Sequence, residues 1–115
     1  MYPMELTLPT QMSVMGKTVH IRWLPSLHID GVELSGCCRE NVISINVPQH
    51  NNEAELLSTL FHEIAHFIFL TSGIGEVIGD NEEAVVVCIE RNIMPFVKFD
   101  RRLWKRKIKI ILSPA

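Results

Sequence analysis

The chain has 115 residues, 47% apolar and 21% charged, which fits one domain with a real core and excludes a disordered chain. Its formal charge of -2 conceals an asymmetry: residues 1–97 carry 4 Lys or Arg against 12 Asp or Glu, whereas residues 98–115 carry 7 against 1. A basic segment of this kind, 98–115, is either a solvated face or a surface for an acidic partner or nucleic acid.

No run of 18 apolar residues is present, so no transmembrane helix is expected. Met1–Thr10 lacks the basic start and apolar core of a signal peptide. Cys37, Cys38 and Cys88 are odd in number and form no CxxC pair. A reducing cytoplasm is therefore expected, with the cysteines as small structural residues.

The first half reads as strands. From Lys17 to Leu24, Val19, Ile21 and Trp23 alternate with Thr18, His20 and Arg22. Asp30-Gly31 is a turn signal. Val32–Cys38 and Val42–Val47, separated by Arg39-Glu40-Asn41 and closed by Pro48, predict a hairpin. The second half reads as helices. Asn52 and Glu55 have capping-box spacing, and Leu57, Leu60, Phe61, Ile64, Ala65 and Ile68 follow at helical intervals. Ser72-Gly73-Ile74-Gly75 ends this helix, and a Gly-rich turn over 71–79 leads to the next. Asp80 with Glu83 predicts a second cap, with an apolar helix from Ala84 to Met94 ended by Pro95. Residues 100–112 fit a strand or a short basic helix. The fold class expected is α+β: helices on a small antiparallel sheet, in a single domain over 1–115.

The chemistry lies in His62-Glu63-Ile64-Ala65-His66, an H-E-x-x-H motif on the first helix. Residues four apart share one helical face, so both imidazoles can reach a single ion. Glu63 then reaches the ion's water rather than the ion, where it is placed as general base. A catalytic zinc needs a third protein ligand. The candidates are Glu76, Asp80, Glu82, Glu83, Glu90 and the other histidines. If Asp80 is the cap, Glu83 sits at the third helical position and turns back to it, which leaves Glu82 as the favoured ligand over Glu83. N/N/O ligation suits Zn2+. His28, His50, Tyr2 and Arg91 are available as a second oxyanion donor, none of them favoured.

The segment Leu57 to Phe67, with Leu56 before it, and the segment Glu82 to Pro95 resemble the ImmA/IrrE-type metallopeptidases of phages and mobile elements. Family members carry a Glu three residues before a small residue on the second helix, and often end that helix at Pro. Glu82 before Val85 and Pro95 beyond it match, whereas Val85-Val86 and Ile89 depart from the usual Ala-Asn and Phe-Ala. The resemblance implies zinc, a minimal zincin-like domain and hydrolysis of peptide bonds in a peptide or protein substrate, with regulatory DNA-binding proteins as frequent targets. The other class open to the sequence is a non-catalytic, metal-stabilised regulatory or protein-interaction module. Nucleic-acid binding through residues 98–109 is a third.

Overall fold

A computed structural model of the chain describes residues 4–112. Among these, seven strands and three α-helices follow in the order β1 (Met4–Val14), β2 (Lys17–Leu24), β3 (His28–Ile29), β4 (Val32–Glu33), β5 (Gly36–Arg39), β6 (Val42–Asn46), α1 (Glu53–Ser72), α2 (Ile74–Ile78), α3 (Glu82–Ile93) and β7 (Arg106–Leu112). No single helix is long and apolar enough to cross a membrane.

The main sheet has five strands in the order β5-β6-β2-β1-β7, and β3 and β4 form a separate two-stranded ladder. The expectation of an antiparallel sheet is corrected here: β2 and β6 run parallel, with Ile21 opposite Ile43 and Trp23 opposite Ile45. The predicted turn at Asp30-Gly31 sets up the small β3–β4 ladder, and a hairpin through Glu40 then joins β5 to β6. That excursion reverses the chain between β2 and β6, so β6 returns alongside β2 in the same direction. The predicted strand over 32–38 is thereby split between the two sheets, and its hairpin with 42–47 survives as β5–β6.

Alternation along the strands gives one apolar face. Leu6, Leu8, Val19, Ile21, Ile43, Ile45 and Leu112 are buried there under α1. β1 carries Pro9, which cannot donate to a ladder. The structure puts Pro9 beside a register shift in the β1–β7 pairing, where a missing donor is tolerated, and its carbonyl accepts from Trp23 Nε1 at 2.6 Å. Of the two readings for 100–112, the strand is seen over Arg106–Leu112, whereas Arg101–Leu103 form a 3-10 turn capped by Asp100.

The first helix starts as predicted. Asn52 Oδ1 accepts from the Glu55 amide at 2.9 Å, and Glu55 Oε1 accepts from the Asn51 amide at 2.8 Å. Gly73, at φ 81°, ends the helix in the left-handed conformation that favours glycine. Residues 71–79 do more than turn, since they contain α2. The cap of α3 also differs from expectation. A 3-10 turn over Gly79–Asn81 precedes it, Asn81 takes the cap position, and no side chain caps the helix.

β5 lies close to α1. A Cβ built on Gly36 would sit 2.9 Å from Thr59 Cγ2 and 3.3 Å from Glu63 Cγ. Thr59 cannot swing aside freely, because its hydroxyl is bonded to His50 Nε2 at 2.7 Å. Gly36→Ala is therefore expected to lower stability by about 1–3 kcal/mol through overpacking, read as a lower urea midpoint with an unchanged slope.

Candidate metal centre

Two neighbouring stripes of α1 do different work. Leu56, Leu60, Glu63 and Phe67 are its sheet-facing residues, spaced 4, 3 and 4 apart, and all are buried. Glu63 is thus the one carboxylate in a core stripe, 7% exposed. His62 and His66 lie on the adjoining stripe, half-buried, facing α3. Their ring centroids are 5.0 Å apart.

The carboxylate that α3 brings to both rings is that of Glu83. Its Oε1 lies 2.9 Å from His62 Nε2 and its Oε2 lies 2.7 Å from His66 Nε2. Ligand atoms of His62, His66 and Glu83 all fall within 4.8 Å of one another, which makes them the described group able to hold a metal ion. Glu82, favoured as third ligand by the sequence, lies on the opposite edge of the imidazole. Its Oε2 is 2.6 Å from His66 Nδ1. The reason is the shifted cap. With the helix starting at Glu82 and no Asp80 cap to serve, the Glu83 side chain is free to face α1. Gly75 adds a constraint, since a Cβ there would lie 2.5 Å from Glu82 Oε1.

Glu90 completes the arrangement. Its Oε2 is 2.9 Å from His62 Nδ1. Glu90 was one candidate among several in the sequence. Its signal was its spacing: seven residues after Glu83 is two turns, which puts both on one face of α3. Each imidazole therefore presents Nε2 to the cluster and holds a carboxylate on Nδ1, the arrangement by which metal-ligating histidines are oriented. Two imidazole nitrogens and a carboxylate oxygen are a donor set that suits zinc, so the residues present fit the ion the sequence implies.

Burial raises the Glu63 carboxyl above its ordinary value; His62 and His66 oppose this, and Glu83 and Glu90 add to it. Burial works to depress the His66 imidazole. The hydrogen bond to Glu82, the charge of Glu63 and the contact with Glu83 outweigh it and leave His66 raised.

The other polar candidates are elsewhere. His50 is buried, with Nδ1 2.8 Å from the Asn46 carbonyl and Nε2 2.7 Å from Thr59 Oγ1, so both nitrogens are engaged in holding β6 against α1. His28 is exposed on β3. Arg91 lines a groove at the far end of α3. Glu76 and Asp80 are exposed and outside the cluster, and Tyr2 lies outside the described residues.

Cys38 lines a small cavity with Glu63, His66 and Glu82. Burial first, then the charge of Glu63, pushes its thiol up to about 11. In metal-free protein at pH 8 its thiolate fraction is then roughly one part in a thousand, which makes it a poor nucleophile. Iodoacetamide labelling of Cys38, followed by mass spectrometry, is expected to be slow in the native protein and to rise at least about tenfold in urea, where the thiol regains an ordinary value.

No protein family, curated protein or solved structure matches this chain, so its function has to be read from these residues.

Proposed function

We propose that the chain is a zinc-dependent peptidase with a minimal zincin-like domain, in which His62, His66 and Glu83 hold the ion and Glu63 is the catalytic base. The observation that carries this reading is the convergence of two Nε2 atoms and one carboxylate within 4.8 Å, with Glu63 lining the same cleft. The cleft is open between α1, α3 and the edge strand β5, and is lined by Ser35, Gly36, Thr59, His62, Glu63 and Glu83. Three protein ligands, with His50 engaged elsewhere, match an ion that keeps an open position better than a closed structural site. The resemblance to ImmA/IrrE-type metallopeptidases supports zinc and peptidase chemistry, although it matches Glu82, not Glu83, to the family's second-helix Glu. Three free cysteines are consistent with work in a reducing cytoplasm.

Bound zinc supplies Lewis acidity toward a carbonyl oxygen and makes a water molecule acidic near neutral pH. The rest falls to the chain. Glu90 and Glu82 hold the two rings by Nδ1 and keep both Nε2 atoms turned inward. Glu63 accepts a proton from the attacking water and returns it to the leaving amine. Its burial in the sheet-facing stripe of α1 holds the carboxylate in place beside the cleft.

A second reading has its own observation. Phe96 is 84% exposed and Leu103 72% exposed, close in sequence to Lys98, Arg102 and Lys105. Apolar side chains standing among cations favour a protein-interaction module, or an acidic partner, using this end of the molecule.

Metal analysis with a peptidase assay separates the two. Wild-type protein is expected to carry about one zinc per chain, and His66→Ala and Glu83→Gln to lose most of it. Glu63→Gln is expected to keep the zinc and lose peptide hydrolysis by about 10²–10⁴-fold. Full activity in Glu63→Gln would remove the assigned base, and zinc retained in Glu83→Gln but lost in Glu82→Gln would restore Glu82 as the ligand. Competition with a chelator measures the outer carboxylates. Glu82→Gln and Glu90→Gln are each expected to weaken zinc affinity by about 10–100-fold.

A further inference from the structure

Three cavities lie end to end along α1. The first, about 330 Å3, is lined by Cys38, Glu63, His66, Leu70 and Glu82. The second, about 370 Å3, holds His62, Glu63, Glu83 and Glu90. The third and largest, about 820 Å3, lies between Ala54, Leu57 and Ser58 of α1 and Met94, Val97 and Phe99 beyond α3. The first two share Glu63, and the second and third share Glu90. From Leu70 to Ala54 the run follows α1 for ~24 Å at 1.5 Å per residue, the length of roughly seven residues of extended chain. The metal cluster sits within this run, not at its end.

We propose that the groove at Leu57, Met94, Val97 and Phe99 is a specificity subsite for a large apolar side chain of the peptide substrate, from a residue beside the scissile bond. This rests on the peptidase reading and deepens it. Position is the first support. Ser58 lines the groove one helical turn before His62, so the groove begins ~5–6 Å along α1 from a metal-ligating residue. Chemistry is the second. The wall is mainly apolar, and its two carboxylates are already engaged: Glu53 is ion-paired with Arg101, and Glu90 is bonded to His62. A cationic side chain entering it would lose hydration without gaining a partner. Capacity is the third, because an open groove of about 820 Å3 has room for one large side chain. Arg91 and Lys98 also line the groove and make no ion pair among the described residues, so an acidic residue is favoured next along the substrate.

The test uses the zinc-loaded full chain on a library of peptides from a digested proteome, with the new termini mapped by mass spectrometry. Leu, Met and Phe are expected to be enriched at one position flanking the cut. Ala54→Trp, at an exposed helical position, fills the groove, and Met94→Glu places a charge in it. Both are expected to lower the ratio of cleavage at large apolar residues to cleavage at Ala by about 10–100-fold, with wild-type zinc content. A binding readout is independent of turnover. In Glu63→Gln, a labelled peptide with Phe at the selected position is expected to bind about tenfold tighter than its Ala counterpart by fluorescence polarisation. Cleavage without side-chain preference, or a preference unchanged in both groove variants, would overturn the subsite and leave the peptidase reading standing. No cleavage of any library member by zinc-loaded protein would overturn both.

Discussion

Everything at the candidate centre depends on the pitch of one helix. At 3.6 residues per turn, the stripe of α1 that packs on the sheet carries Leu56, Leu60, Glu63 and Phe67, and the next stripe round carries His62 and His66. One rotation therefore buries an acid beside two half-exposed imidazoles. The core fixes the rotation, because Leu56 and Leu60 are fully buried against Ile43 and Ile45. The chemistry-bearing side chains are thus positioned by apolar packing that does no chemistry itself.

The surroundings of the two rings are strongly acidic. Glu63, Glu82, Glu83 and Glu90 all approach them. Two protonated rings, or one divalent ion held by two neutral rings, bring the same positive charge to these carboxylates. The two differ in persistence. The His66 imidazolium charge persists above the ordinary histidine range but still fades as the pH rises, and the charge of an ion does not. The outer carboxylates also have a steric setting of their own. Glu82 is backed by Gly75, where the absence of a side chain leaves room for it.

Much of this was legible in the sequence, and the gaps have physical causes. The α+β class, β2, the β5–β6 hairpin, the Asn52 cap and the helix holding His62, Glu63 and His66 all follow from periodicity and capping chemistry, which are local. The parallel pairing of β2 with β6 is not local, since alternation fixes which face a residue takes but not which strand lies beside it. β1 carries Pro9, whose acceptance depends on an irregularity in pairing with a strand almost a hundred residues away. The choice between Glu82 and Glu83 turned on the cap of α3. With Asn81 in place of Asp80 at the cap, Glu83 takes the second helical position expected of Glu82, and it is Glu83 that faces both rings.

The pairing of β1 with β7 has a consequence for how the molecule comes together. β1 and β2 form a hairpin through Met15-Gly16 and can associate as soon as both exist, whereas β7 closes a loop of nearly the whole chain. Such contacts form slowly, because chain entropy must be surrendered before any pairing is gained. Until β7 docks, the flank of β1 bearing Leu6 and Leu8 lacks its neighbours Ile110 and Ile108 and offers unpaired backbone groups to any passing strand. The charges on Arg106, Lys107 and Lys109 place mutual repulsion on the late-arriving strand, which guards the same flank against self-association once it is in place.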